Sequence, residues 1–206
     1  MLSNLLVFLF ENSVSKRLIR LFFRLFPIKK DVKIKLSNQI MFALSLDRII
    51  SLYLKKFSLT EAAETRFFKS IVKRGMRVVD VGSNLGYYTL IAAGLAGPEG
   101  KVFAFEPDPE NFRLLQKNIA ENGYRNIEAV NKVVSDKKGR VRLFLSEENR
   151  GAHRIYNSNQ KRQSIDVEAV SLDDFFQDQP VDFVKIDVEG AEPLVFAGMV
   201  RVIKNN

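Results

Sequence analysis

The run from Arg77 to Thr89 constrains the fold most strongly, because a short β-branched strand passes through a glycine turn directly into a helix. The run is RVVDVGSNLGYYT. Gly82 has no Cβ, so the backbone can turn sharply there and approach a ligand closely. Gly86 lets the next helix pack near the strand, and Ser83 and Asn84 complete the turn. This pattern is typical of a parallel α/β sheet that binds a nucleoside-like ligand at the end of a strand.

A second strand ends in an acidic residue at a matching distance. The segment from Lys101 to Phe105 is largely apolar, and Glu106 follows it 24 residues after Gly82. That interval is close to the ~20 residues between a glycine turn and the carboxylate that binds a ribose. Pro107 cannot continue the strand, so we expect Glu106 at its carboxyl tip, accepting hydrogen bonds from two ribose hydroxyls. The alternative is a solvated strand end.

The glycine spacing favours a methyl donor over a dinucleotide. NAD and FAD sites use G-x-G-x-x-G beside a pyrophosphate, whereas this turn has G-x-x-x-G, follows Asp80 and contains no Lys or Arg. A carboxylate there would repel a pyrophosphate and attract an ammonium or a sulfonium group. S-adenosyl-L-methionine has both cations and a ribose. We therefore predict this cofactor, with Asp80 near its ammonium group.

Four segments together resemble the motifs of a known family. They are VDVGSNLGYYT at 79–89, FEPDPENF at 105–112 with Asn118 beyond it, SLDDF at 171–175, and VKIDVEGAE at 184–192. In order and spacing they resemble FkbM-type S-adenosylmethionine-dependent methyltransferases, over about residues 60–198. The resemblance implies a Rossmann-like class I methyltransferase sheet with helices on both faces. It also implies O-methylation of a hydroxyl of a sugar or another small molecule.

The pattern along the chain predicts an α/β protein with a parallel sheet. We expect strands at 100–106, 127–134 and 181–188, helices at 110–122 and 193–203, and an added hairpin from 140–146 and 164–170. Upstream, the pattern predicts a hairpin from 32–36 and 40–46 and helices at 46–56 and 60–73. Three parts follow: a basic, apolar leader at 1–31, a hairpin with helices at 32–75, and the methyltransferase domain at 76–206.

Further candidate residues follow the third and fourth predicted strands. Ser135 and Asp136 are expected at the tip of the third strand, where the carboxylate would accept the adenine amino group; the alternative is an ordinary turn. Asp187 and Glu189 follow the fourth strand, with Glu192 close behind. Such crowded acids raise one another's pKa, and a raised carboxylate can take the proton of an attacking hydroxyl. We expect Asp187 and Glu189 to be catalytic. The alternative is that Glu189 binds Lys185 or Arg154 and that Glu192 caps the helix.

His153 is the one histidine, and it lies in a polar loop between the two strands of the added hairpin. We predict that it is a base or a substrate contact, while the alternative is an ordinary surface histidine. The chain has no cysteine, so disulfides and thiolate metal sites are excluded. Asp187 and Glu189 lack a third convergent ligand, so we predict no metal site.

Positive charge is concentrated in the N-terminal part. Residues 1–75 contain 15 Lys and Arg against 5 Asp and Glu, whereas the remainder contains 17 against 19. The nearly neutral domain argues against a nucleic-acid groove. The basic, Phe-rich segment at 16–30 predicts peripheral contact with an anionic membrane, although an added covering helix is the alternative. We otherwise expect a cytoplasmic protein.

The sequence ends soon after the helix predicted at 193–203. We therefore expect a sheet without the family's C-terminal strands, with the fourth strand as an apolar edge that favours homodimers. Two other functions stay open. One is a truncated, non-catalytic fragment that binds S-adenosylmethionine. The other is a nucleic-acid methyltransferase, which the neutral domain disfavours.

Overall fold

The structure, a computed structural model, describes residues 31–36, 39–43, 62–146, 155 and 163–205. The chain divides into two compact units, Met1–Ala62 and Ala63–Asn206. Three predictions concern residues outside the described ranges: the leader before residue 31, the helix at 46–56, and His153.

An antiparallel hairpin is the described part of the first unit. It consists of β1 (Val32–Leu36) and β2 (Gln39–Ala43), with Ile34 opposite Met41. Ile34 and Leu36 are buried, while the lysines beside them are exposed. This alternation with period 2 is the pattern of a strand with one covered face, and the predicted hairpin is confirmed.

The other described elements are six helices and seven strands. In chain order they are α1 (Ala62–Ile71), β3 (Arg77–Val81), α2 (Tyr87–Ala96), β4 (Lys101–Phe105), α3 (Pro109–Asn122), β5 (Ile127–Val130), β6 (Val133–Val134), β7 (Gly139–Phe144), β8 (Ser164–Val170), α4 (Leu172–Phe176), β9 (Phe183–Ile186), α5 (Glu192–Ala197) and α6 (Val200–Lys204).

A parallel sheet of four strands, in the order β5-β4-β3-β9, positions the site. Its register places Val81 beside Phe105 and Ile186. Because neighbouring strands run in the same direction, their carboxyl ends meet at one edge of the sheet. The order changes direction at β3, the strand that precedes the glycine turn, so the turn lies at the topological switch point where such sheets bind ligands.

Both faces of this sheet are covered by helices, as the sequence predicts. On one face, Val78 and Val102 pack with Phe68 of α1 and Ile91 of α2. On the other face a larger cluster joins strand residues to the helices α4, α5 and α6; its fully buried members include Val79, Val81, Phe105, Phe176 and Val195. Successive side chains of β3 therefore pack into different hydrophobic clusters, one on each face of the sheet.

The predicted third strand at 127–134 is wrong as a single strand. It is divided between β5, in the parallel sheet, and β6, which pairs in parallel with β8 in a second sheet of order β6-β8-β7. At the break, Asn131 Nδ2 donates hydrogen bonds to the backbone oxygens of Glu106 (2.7 Å) and Pro107 (3.2 Å). Asparagine side chains compete with the ladder in this way. The predicted added hairpin is confirmed as β7 and β8, which are antiparallel.

The helix predicted at 193–203 is also divided. α5 ends at Ala197, and α6 begins at Val200. The carboxylate of Asp173 in α4 accepts hydrogen bonds from the amides of Arg201 and Val202, both at 3.0 Å. Those amides lack intrahelical partners at a helix start. Asp173 of α4 thus caps the start of α6 by supplying the acceptor for its first amides.

Candidate cofactor site

Backbone hydrogen bonds hold the glycine turn against the neighbouring strand tips. The amides of Gly82 and Ser83 both donate to the carbonyl oxygen of Phe105, each at 3.0 Å. Gly82 has φ 78, and a Cβ on it would lie 2.0 Å from the carbonyl oxygen of Asp187. Only glycine is compatible with both the left-handed backbone and this close approach. Gly82 therefore joins the ends of β3, β4 and β9.

The second glycine of the turn contacts α3. Gly86 has φ 90, and a Cβ there would lie 2.6 Å from Leu115 Cδ1. Asn118, one turn further along α3, is fully buried and donates its side-chain amide to the carbonyl oxygen of Leu85 at 2.8 Å. The sequence predicts that Gly86 allows close packing of the helix that follows it. In the structure the close contact of Gly86 is with Leu115 of α3, so α3 supports the turn from the side.

Glu106 lies at the tip of β4 as predicted, and its carboxylate is held by the turn. Oε2 accepts a hydrogen bond from the Asn84 amide at 2.8 Å, and Oε1 accepts from the Asp108 amide at 3.0 Å. Asn111 Nδ2 donates to Oε1 at 3.2 Å. Asn84 itself is left-handed, with φ 51. These contacts fix both carboxylate oxygens beside the glycine turn.

Burial changes the acidity of Glu106. The residue is 5% exposed, and this desolvation raises the pKa of its carboxyl to about 7, although the N–H groups of Asp108, Asn84 and Asn111 act in the opposite direction. A buried carboxylate loses its hydration, so the neutral form is favoured. A raised pKa at a strand tip beside a ligand-binding turn is a frequent property of functional residues.

Asp80 lies beneath the turn, where its side chain is 1% exposed. Thr89 donates its hydroxyl to Oδ2 at 2.7 Å, and Lys185 Nζ lies 3.3 Å from Oδ1. The sequence places Asp80 next to the ammonium group of the ligand. The structure adds two protein partners, Thr89 and Lys185, and the contact with the ammonium group stays a prediction.

The sequence suggests Lys185 only as a possible partner of Glu189 and does not reveal its pairing with Asp80 and Asp187. Lys185 lies in β9 directly beside Asp80 of β3. Its Nζ forms ion pairs with Asp80 at 3.3 Å and Asp187 at 3.4 Å, and it lies 5.2 Å from the centre of the Tyr88 ring. Although burial lowers it, the pKa of Lys185 is raised overall by the two carboxylates. A lysine inside an apolar strand, two residues before Asp187, is the signal that could have revealed it.

The acids after β9 do not act as one repelling cluster. The side chain of Asp187 is 65% exposed and pairs with Lys185, and Glu189 is exposed with φ 52. Glu192 Oε1 accepts a hydrogen bond from the Gly190 amide at 3.2 Å. Backbone amides lower the pKa of the Glu192 carboxyl. Glu192 is the first residue of α5, which has no side-chain cap, so the predicted capping by Glu192 is not seen. Lys185 pairs with Asp187 and Asp80, and Arg154 lies outside the described residues.

Ser135 and Asp136 follow β6, and so do not lie at the tip of the parallel sheet as predicted. The Ser135 amide donates to the carbonyl oxygen of Val170 at 2.9 Å, and its hydroxyl donates to Asp136 Oδ1 at 3.1 Å. Asp136 is exposed. Within residues 62–146 and 163–205, no hydrogen bond joins this pair to Glu106 or to the glycine turn. Their predicted contact with adenine stays a prediction.

The polar groups around the turn fit a ribose-bearing ligand. Oε2 of Glu106 accepts one hydrogen bond from the described residues, so a lone pair is left for a ligand hydroxyl. Asn84 Oδ1 is buried and has no hydrogen-bond partner among the described residues. A buried acceptor without a donor is costly unless a ligand or water supplies one. Two acceptors therefore lie next to the glycine turn, where hydroxyl donors of a nucleoside would satisfy them.

A strand-turn-helix site at the switch point of a parallel sheet defines a nucleoside-cofactor-binding α/β protein. The family model described as the methyltransferase FkbM domain matches residues 80–206. The chain belongs to the FkbM methyltransferase family. The prediction of family and fold is thus confirmed, and S-adenosyl-L-methionine is the cofactor of this class.

Known proteins similar to this chain match parts of it. The protein-L-isoaspartate O-methyltransferase of Methanothrix thermoacetophila is 34% identical over 59 residues, which cover 29% of this chain and 28% of that protein. Methyltransferase 1 of Beauveria bassiana is 25% identical over 144 residues, covering 59% and 57%. The chain therefore spans less than two thirds of the length of these curated relatives.

A solved structure of a SAM-dependent methyltransferase from Aquifex aeolicus is 26% identical, covers 38% of this chain and 40% of that chain, and superposes with a TM-score of 0.33. The fold assignment therefore depends on the sheet topology and the family. Among the described residues, no helix is long and apolar enough to cross a membrane.

Proposed function

We propose that this chain transfers a methyl group from S-adenosyl-L-methionine to a hydroxyl oxygen of a sugar or another small molecule. The observation that supports it best is Glu106, a buried carboxylate at the tip of β4 whose two oxygens are fixed by the amides of Asn84 and Asp108. Oε2 accepts a single hydrogen bond from the described residues and so keeps acceptor capacity for a ligand. The family of the chain supports the methyl transfer.

Different residues would bind the cofactor and accept the proton. Glu106 and Asn84 would accept the hydroxyl donors of the ribose, and Asp136 would accept the adenine amino group. Gly82 lets the backbone approach the ligand. When bound, the cofactor supplies a methyl group that is already activated as a sulfonium. The protein then has to hold the acceptor oxygen in line with that methyl group, which lowers the barrier through proximity.

Asp187 is the best candidate for accepting the proton of the acceptor hydroxyl. Its side chain is 65% exposed at the tip of β9, and its backbone carbonyl touches the glycine turn. Glu189, exposed in the next turn, is the second candidate, and His153 stays a prediction. A positioned base contributes about 10²–10⁴-fold to a reaction rate.

Calorimetry with S-adenosylmethionine, S-adenosylhomocysteine and NAD tests the cofactor part of the proposal. We expect both S-adenosyl compounds to bind and NAD to bind much more weakly, and tighter binding of NAD would contradict the proposal. Incubation with methyl-labelled cofactor and a panel of sugars, other small polyhydroxyl compounds and RNA tests the acceptor. Label transfer to RNA alone would contradict a small-molecule acceptor.

A further inference from the structure

Lys185 has an unusual position, because one ammonium group connects a buried carboxylate to an exposed one. Asp80 is 1% exposed and Lys185 16% exposed, whereas Asp187 is 65% exposed. Asp80 lies directly beside Lys185 in the neighbouring strand, and Asp187 follows Lys185 by two residues, just beyond the end of β9. Side chains two residues apart in extended backbone point to the same side. The two ion pairs of Lys185 therefore connect a carboxylate in the interior with one at the exposed edge of the sheet.

The backbone around this network contacts the glycine turn. The Asp187 amide donates to the carbonyl oxygen of Val81 at 3.0 Å, and the Asp187 carbonyl lies against Gly82. Thr89 at the start of α2 binds the other oxygen of Asp80, and the ring of Tyr88 lies 5.2 Å from Lys185 Nζ. Any movement of Lys185 would therefore affect residues on both sides of the turn.

We propose that Lys185 is a positioning residue of the cofactor site, which acts by holding the Asp187 carboxylate beside the glycine turn while its charge is balanced by Asp80. This inference depends on the proposed function, because it assumes that the turn binds S-adenosylmethionine. A free aspartate side chain at a strand tip samples several rotamers, and an ion pair to a buried lysine restricts them. A held carboxylate loses less entropy when a ligand arrives.

A double substitution separates this role from simple neutralisation of Asp80. Lys185→Met alone would leave the Asp80 charge buried and unpaired, which is strongly destabilising. Compared with the unaltered protein, D80N/K185M removes one negative and one positive charge, so no buried charge is left without a partner; compared with D80N, it removes only the Lys185 charge. The matched reference is D80N, and K101M is the control lysine, because Lys101 pairs with Glu128 on the exposed surface.

Calorimetry of the full chain with S-adenosylmethionine measures the effect. We expect D80N/K185M to bind about three- to tenfold more weakly than D80N, and K101M to bind like the unaltered protein. In the D80N/D187N background, removing Lys185 should change the affinity less than about twofold, because its effect depends on Asp187. Equal binding of D80N and D80N/K185M would overturn the proposal and leave Lys185 as a neutralising residue.

A second measurement covers the case in which D80N/K185M does not fold. NMR of the unaltered protein labelled with ¹⁵N-lysine should show a shift of the Lys185 side-chain signal on adding S-adenosylhomocysteine, while the Lys101 signal stays in place. An unshifted Lys185 signal with demonstrated binding would overturn the inference alone. An unaltered protein that binds neither S-adenosyl compound would overturn the proposed function and this inference with it.

Discussion

At the scale of single residues, Glu106 shows a conflict between stability and binding. Its carboxyl has a pKa raised by burial to about 7, so its ionised form is disfavoured in the folded protein. Ribose hydroxyls donate hydrogen bonds to the ionised form and favour it. A residue that destabilises the fold when charged, yet is held by three donors, is best explained by ligand binding.

Glu106→Ala should weaken S-adenosylmethionine binding by roughly 1.5–3 kcal/mol, the range for hydrogen bonds to a charged group. Calorimetry measures the loss, and thermal unfolding shows whether the fold survives. Glu128→Ala is the control, since that side chain is 46% exposed and pairs with Lys101. Unchanged binding together with a collapse of the melting temperature would make Glu106 a structural residue.

Glu106→Gln should change the pH dependence of stability. The folded-state pKa of about 7 lies above the ordinary glutamate pKa of 4.5, so the folded protein holds the proton more tightly than the unfolded chain. The stabilisation is fully present below the unfolded pKa and is lost as pH rises through 7, a change of about 3 kcal/mol. Urea unfolding at pH 5 and 8 measures it. We expect the variant to lose less stability over this interval than the unaltered protein; parallel losses would contradict the raised pKa.

At the scale of elements, the site depends on contacts between strand tips that are distant in sequence. Gly82 touches the Asp187 carbonyl, Gly86 touches Leu115 of α3, and Asn118 binds the Leu85 carbonyl. The turn is therefore held by β9 and α3 as well as by its own strand. A substitution that moves one of these elements should affect the cofactor site without touching a ligand.

Gly82→Ala should destabilise the protein and abolish tight cofactor binding, because the new Cβ would lie 2.0 Å from a backbone oxygen. Backbone must move to relieve the clash, so a loss of more than about 3 kcal/mol is expected, beyond the usual range for single substitutions. Urea unfolding and calorimetry measure both effects.

Gly123→Ala is the matched control for this substitution. Gly123 has φ 72, close to the 78 of Gly82, but a Cβ there would meet nothing within 4 Å. It should show only the cost of a left-handed alanine, about 1–2 kcal/mol, with cofactor binding unchanged. Equal losses of stability for the two variants would show that the clash with β9 is relieved without cost.

At the scale of the whole molecule, β9 is an edge of the parallel sheet. Within the described residues it pairs with β3 and with no other strand. Phe183, Val184 and Ile186 are half-buried. An apolar edge strand with free backbone groups favours pairing with another chain.

We predict that the chain forms homodimers through the β9 edge. Sedimentation velocity over about a hundredfold range of concentration should show a shift from monomer to dimer, and hydrogen exchange should slow at the β9 amides on dimerisation. A monomer at every concentration, with protected β9 amides, would show that other residues of the same chain cover the edge.

The charge distribution leads to a separate prediction for membranes. The segment at 16–30 combines Lys and Arg with Phe and Leu, and we expect the full chain to bind vesicles with anionic lipids. Each basic residue near such a surface contributes about 1 kcal/mol. K16E/R20E/R24E should therefore reduce binding strongly in a vesicle sedimentation assay, while neutral vesicles should bind neither protein. Equal binding of the variant and the unaltered protein to anionic vesicles would contradict membrane contact through this segment.

The sequence by itself determined the parallel α/β class, the glycine turn and the position of Glu106. These properties depend on local chemistry: β-branched runs form strands, glycine permits left-handed backbone, and proline ends a ladder. The order and spacing of these motifs also identified the family. The strand-turn-helix unit and the acidic residue after the next strand are close together in the sequence, so the pattern can be read without the structure.

Only the tertiary structure decided which side chains meet at the turn. Lys185 is 105 residues from Asp80 in sequence, and the register of two parallel strands brings them together. In the same way, the predicted third strand is divided between two sheets, and Asn131 at the break binds the backbone of Glu106. A local pattern contains no information on strand register or on which distant backbone a side chain reaches. The sequence could therefore place Asp80 near the turn but could not show that a lysine from another strand pairs with it.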